Sequence, residues 1–201
     1  MTGVNIIARY NLQVDDASEL SPAEELSLLN EVYYEVADDR DWEWLKATAS
    51  GNTSTSVPYI ALPTDFKKVL PNKDSKSVVF VGTSFQEYEV IPFSSRREHR
   101  NEGGFCYIDV PNQRLVFTKQ PTSVEAVEYD YILRPPALSL ITAPLVSTDR
   151  MGECLAYGMA SRFYAIEQTD KGNSYANENK VEFLRILSDL ATEDANVKLS
   201  I

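Results

Sequence analysis

Between residues 57 and 134 one arrangement recurs: a short run rich in Val, Ile, Tyr and Phe, closed by Pro, Gly, Asn or Asp. The runs are VPYIALP, SVVFVG, EYEVIPF, FCYIDV, RLVFTKQP and AVEYDYILRPP. β-Branched and aromatic residues fit a pleated, half-buried surface, and the closing residues turn the chain, so these runs read as strands. In VEYDYIL, Val127, Tyr129 and Tyr131 alternate with Glu128, Asp130 and Ile132, the period of an antiparallel strand with one buried face. Val110 to Leu115 reads as a hairpin turn. The span predicts roughly four to six antiparallel strands.

The flanks carry a different period. Val4, Ile7 and Tyr10 recur at helical spacing and predict a short helix over 4–14. Ser21-Pro22-Ala23-Glu24 has a capping serine, a proline at the first helical position and a glutamate at the third, which together form a capping box. Leu26, Leu29, Tyr33 and Val36, with Val32 beside them, continue as one apolar stripe. Asp38 and Asp39 face the negative end of that helix's dipole, so the helix is expected to loosen there or to run on to about Leu45. After Pro135-Pro136 and the connector ALSLITAPLVS, a helix is expected from Ser147 or Thr148 to Gln168. Its Gly152, Ala156, Gly158, Ala160 and Ala165 favour close helix packing. TDKGNS reads as a turn, and a last helix is expected from Asn173 to Ala191. The expected fold is therefore α+β, a helical bundle formed by residues 1–49 and 136–192 with an inserted antiparallel β region at 50–135 and a C-terminal tail at 193–201.

Charge narrows the function. The 201 residues carry 30 Asp and Glu against 19 Lys and Arg, a net charge of −11. Gripping DNA through its phosphates takes clustered cations, which the chain lacks in bulk, whereas acidity suits a surface that must not adhere to passing nucleic acid. No run reaches the roughly 20 apolar residues of a membrane span, and MTGVNIIARYNLQ has no apolar signal-peptide region. Cys106 and Cys154 stand far apart, outside any C-x-x-C pair, and read as small buried hydrophobes in a reducing compartment.

No catalytic constellation assembles. The single histidine, His99, lies in SSRREHRNEGG, where arginines surround it, and reads as a solvated loop residue rather than a general base. One histidine and no cysteine pair make the usual zinc ligand sets unattainable. Asp38-Asp39-Arg40-Asp41 lacks the oxygen-ligand spacing of a calcium loop, Gly103-Gly104 lies in no phosphate-loop pattern, and no G-x-S-x-G elbow occurs. No enzyme activity, cofactor or metal is expected. Arg96, Arg97 and Arg100 form the one local basic cluster. It reads either as an exposed hairpin tip or as a contact for DNA or an acidic partner such as a tail protein.

Both tryptophans of the chain fall in DWEWLKATAS, where the second helix gives way to the polar run Ser50 to Ser56. At i and i+2 they diverge on a helix but converge where one unwinds. Trp42 and Trp44 are expected as anchors of that helix end, joined by Tyr59 and Phe66 of YIALPTDFKKV.

The order LLNEVYYEVADDRDWEWL, polar stretch, YIALPTDFKKV, then EYEVIPF and GFCYIDVPNQRLVFTKQPTSVEAVEYDYILRPPAL, then MGECLAYGMASRFY resembles the head-to-tail adaptors of tailed bacteriophages. These head–tail connectors include the tail-tubular-protein-A type. The resemblance spans residues 4 to 190. It implies a structural virion protein, assembled in the host bacterial cytoplasm, that closes into a ring of about twelve copies. Such a ring binds the portal protein and a tail or nozzle protein, and it lets DNA pass without specific binding. It also implies portal contact by a C-terminal segment. Val197, Leu199 and Ile201 alternate with Lys198 and Ser200, the pattern of an extended segment that adds to a sheet edge. Other neck roles, head completion or tail termination, stand beside this one. So does a ligand- or carbohydrate-binding β module, which would stay monomeric when mixed with a portal.

Overall fold

A computed structural model describes residues 2–14, 20–72, 74–139, 149–167 and 170–199. The chain divides into two compact units, one of residues 1–44 with 135–201, the other of residues 45–134.

Among the described residues the first unit holds four α-helices, α1 (Gly3–Gln13), α2 (Pro22–Asp39), α3 (Asp149–Glu167) and α4 (Asp170–Leu199). At α2 the Ser21 hydroxyl accepts from the Glu24 amide while the Glu24 carboxylate takes the Ser21 N–H at 2.8 Å, so the capping box forms as read. Leu29, Val32, Tyr33 and Val36 bury one stripe of α2, together with Ile6 and Tyr10 of α1, Leu155 and Met159 of α3 and Ile186 of α4. Each such side chain taken fully from water contributes about 1.5–3 kcal/mol. The small residues of α3 have a steric reason. A Cβ on Gly158 would stand 2.5 Å from Val32 Cγ1 and 3.1 Å from the Phe183 ring, so only glycine lets α3 approach both α2 and α4 there.

The second unit is a sheet of eight strands: β1 (Lys46–Asn52), β2 (Tyr59–Ala61), β3 (Phe66–Val69), β4 (Val78–Val81), β5 (Gln86–Ile91), β6 (Phe105–Asp109), β7 (Arg114–Phe117) and β8 (Ala126–Leu133). They run in the order β1-β8-β4-β5-β6-β7-β2, with β3 also on β8, a near-barrel arrangement. The long β8 organises it. One edge pairs with β1 along its length, Lys46 facing Ile132 and Asn52 facing Ala126. The other edge is shared, β4 taking Glu128 and Val127 while β3 takes Leu133 to Tyr131. Val79, Val81, Leu115, Phe117, Val127 and Tyr129 fill a core belonging to this unit.

These findings overturn the expected architecture. The molecule is not a helical bundle carrying an inserted antiparallel β region, because the strand region is a large unit with eight strands and its own core. The sheet is also not wholly antiparallel, since β5 and β6 pair in parallel, Val90 facing Cys106. The polar stretch expected as a connector contributes to a strand, β1 ending at Asn52, so the chain passes between units at Trp44 rather than at residue 50. Parallel neighbours require a long connection. Residues 92–104 supply it, a short 3-10 turn (Phe93–Arg97) followed by further turns. The arginine cluster is therefore a crossover, not a hairpin tip. TDKGNS is helical from Asp170 rather than a turn, and α4 continues through the expected tail to Leu199. The Ser147 and Thr148 expected to open α3, like Ile201, lie outside the described residues.

Candidate interaction surfaces

The end of α2 shows what the tryptophans do. The last carbonyls of a helix lack intrahelical donors, and here the backbone of Arg40 is fully extended after Asp39. The chain folds back so that the Trp42 indole N–H donates to the Val36 carbonyl at 2.6 Å. Trp42 is only 2% exposed, and the Arg40 guanidinium lies 4.9 Å from its ring centre. Trp44 is half-buried and stacks on Tyr33, centroids 6.1 Å apart and planes 18° apart. Burial pushes the Tyr33 phenol up to about 12. Glu43, between the tryptophans, donates its backbone N–H to Asp194 Oδ1 of α4 at 2.8 Å. Tyr59 and Phe66 are half-buried in the β unit. The Arg114 guanidinium covers the Tyr59 ring at 4.0 Å, and Phe66 stacks on Tyr131 at 5.8 Å, whose hydroxyl donates to Asp65.

The structure divides the three arginines of the β5–β6 crossover. Arg96 lies 3.8 Å over the Phe93 ring and donates to the Phe93 carbonyl at 2.7 Å, while Arg97 and Arg100 are exposed. Phe93, 48% exposed, is braced edge-on by Tyr107 at 5.6 Å. His99 is not a freely solvated residue. Its ring packs 4.2 Å from Phe105 and its Nδ1 lies 2.8 Å from Glu102. The crossover is held in shape by the Asn101 N–H on the Thr118 carbonyl at 3.0 Å and the Thr118 hydroxyl on the Glu102 carbonyl at 2.6 Å.

A second charged surface escaped the sequence reading. Glu24, Glu31, Glu35 and Asp38 of α2 are all exposed. At 100° per residue they fall in a stripe about 60° wide. The helix contains no Lys or Arg, and Glu35 pairs with Arg162 of α3. The signal was acid spacing at helical period, hidden by averaging charge over the chain. Summed by unit, charge is segregated: residues 45–134 hold 11 basic and 10 acidic side chains, and the remainder holds 8 basic and 20 acidic. The helical unit thus carries −12 and the β unit +1.

Of the residues assigned to a portal contact, Val197 and Leu199 lie on helical backbone in α4, which removes the extended segment that sheet addition requires. A polar recess of about 270 Å³ opens in the β unit between Thr53, Gln86, Tyr88, Lys119 and Glu125, below the roughly 300 Å³ at which small-molecule sites begin. A groove of about 440 Å³ runs between α3 and α4, floored by Gly158, Ala165, Ala176 and Phe183. Cys106 and Cys154 are buried thiols that burial pushes up to about 12. Among the described residues, no cluster of His, Cys, Asp and Glu is placed to hold a metal ion, and no helix is long and apolar enough to cross a membrane.

No curated protein matches the chain. A family model does, and it covers both the helical segments and all eight strands, so the resemblance to phage adaptors holds at the level of the family. That model, described as SU10 adaptor protein, matches residues 1–199, and the chain belongs to this family of bacteriophage adaptors, structural components of the virion that interact with other virion proteins.

Proposed function

We propose that the protein is the head-to-tail adaptor of a phage neck. About twelve copies close into a ring beneath the portal of the DNA-filled head, extend the DNA channel and present a surface to a tail or nozzle protein. The observation that carries this reading is the adaptor-family match along residues 1–199, which takes in both units. Its job is structural rather than enzymatic. The two thiols are buried with raised pKa values, the opposite of an activated nucleophile, and the single histidine is packed on Phe105. A conduit must pass a polyanion without gripping it, and the −11 charge suits that. The portal contact is assigned to the end of α4, presented as helix rather than as an added strand. Assembly takes place in the host bacterial cytoplasm.

The test is to mix purified protein with purified portal particles and count bound copies by native mass spectrometry, then image the complex by cryo-electron microscopy. A closed ring of fixed stoichiometry on one end of the portal is the expected result. A protein that stays monomeric and unbound at micromolar concentration ends this reading and favours a binding module.

A further inference from the structure

We propose that the arginine crossover of one copy docks on the acidic stripe of α2 of the next copy, and that this repeated contact sets the interface between ring neighbours. The proposal rests on the ring reading above and names the surfaces that would make it.

The crossover is built as a contact element. Hydrogen bonds to Thr118 and the stacking of His99 on Phe105 fix its course, so little ordering entropy is lost when it meets a partner. Phe93 and the Arg96 laid over it form a flat, half-exposed platform, flanked by the exposed Arg97 and Arg100. Glu98 and Glu102 on the same loop moderate its charge, which weakens it as a phosphate grip. The facing surface has the complementary chemistry, a narrow acidic stripe on a helix without bases.

A second copy is the occupant favoured by charge. Each chain carries both surfaces, one in each unit. A ring brings units of −12 side by side, and that repulsion is relieved where a cationic element of each neighbour is interleaved. Two different patches on one chain, meeting head to tail, give the heterologous contact from which closed rings form.

Two variants test this. R97E/R100E reverses the crossover while leaving the Arg96 platform, and E31K/E35K/D38K takes the four-residue stripe from −4 to +2 while leaving the Ser21–Glu24 cap. Circular dichroism melting confirms that each folds. In each variant alone, crossover and stripe carry like charge, and occupancy on portals is expected to fall about tenfold or more. Mixed in equal amounts, each variant's crossover faces the other's stripe with opposite charge. Near wild-type rings with the two variants alternating are then expected. Wild-type assembly by either variant alone overturns the proposal. So does a mixture that stays unassembled while wild type forms rings, which assigns the crossover to the portal, a tail protein or DNA. If wild type itself forms no ring, the adaptor reading fails first and independently. Should a reversal unfold the chain, R97Q/R100Q is read instead. It assembles more weakly and loses the salt sensitivity of wild-type assembly between about 50 mM and 0.3 M, and unchanged sensitivity overturns the proposal equally.

Discussion

At the scale of single residues, side chains that terminate or seal an element matter more than their burial alone suggests. Trp42 fills core space and also satisfies a helix-end carbonyl. Trp42→Ala is expected to cost about 3–5 kcal/mol, as for large buried aromatics. Trp42→Phe keeps most of the volume but leaves the Val36 carbonyl without its donor, a loss of about 1–3 kcal/mol. Urea unfolding of the two variants separates packing from hydrogen bonding, and a Trp42→Phe variant as stable as wild type would mean that the indole N–H contributes nothing. Glu25 gives a prediction of opposite sign. It is buried on α2, and burial raises its carboxyl pKa, with a hydrogen bond from Asn11 opposing. A raised folded pKa means the stability it contributes is present below the unfolded value, about 4.3, and is lost as pH rises through the folded value. At neutral pH the buried carboxylate therefore destabilises the protein, and Glu25→Gln is expected to raise the melting temperature there. The gain vanishes by about pH 3.5, where wild-type Glu25 is itself protonated. A glutamine variant less stable at neutral pH would show instead that the Asn11 bond to the carboxylate dominates.

At the scale of elements, what was legible had its cause inside the segment. The capping box of α2, the turn at Val110–Gln113 and the alternation of β8 depend on neighbours a few residues away, and each stands where the residue pattern put it. What was not legible is stabilised from elsewhere in the chain. KATASGN has little strand propensity, yet β1 forms because β8 supplies a full-length partner and the Thr48 hydroxyl donates to Asp130 at 2.6 Å. Here tertiary pairing overrides propensity. The parallel β5–β6 pair leaves no mark on periodicity, so the crossover bearing Arg97 was found but its topology was not. The acidic stripe was available as helical spacing, but its significance needed the division into units. The end of α4 was misread for the same reason. Alternation at Val197, Lys198 and Leu199 suggested an extended segment, whereas Glu193 pairs with Arg150 of α3 and Asp194 accepts the Glu43 N–H, both partners distant in sequence. Glu193 and Asp194 are thus tied to the rest of the helical unit. Deleting residues 193–201 is expected to destabilise the monomer by about 1–2 kcal/mol, one backbone hydrogen bond plus a half-exposed ion pair, and Asp194→Ala to account for most of it. Unchanged denaturant midpoints in the truncated chain would return the segment to a tail that acts only in assembly.

At the scale of the whole molecule, the partition of charge decides how the proposed ring would meet DNA. A net −11 per copy would give the proposed ring roughly −130 for about twelve copies, a strong field of the same sign as DNA. The β unit, at +1, contributes almost nothing to it, so the repulsion originates in the helical unit. The exposed cations of the crossover are too few to reverse this. Three arginines all on phosphates would give a salt slope of only about −2.7, working against the long-range repulsion of the rest of the chain. The isolated protein is therefore expected to retain no duplex DNA in a mobility-shift assay at about 0.15 M salt. Lowering the salt strengthens the repulsion as well as any local attraction, so binding is expected to stay weak there too. R97E/R100E is expected to leave that behaviour unchanged while it cripples assembly on portals, because the contact proposed for the arginines is with protein rather than nucleic acid. Tight duplex binding that weakens steeply with salt and disappears in R97E/R100E would sink the idea, since a ring that grips DNA through its crossovers would hold back the molecule it is meant to let pass.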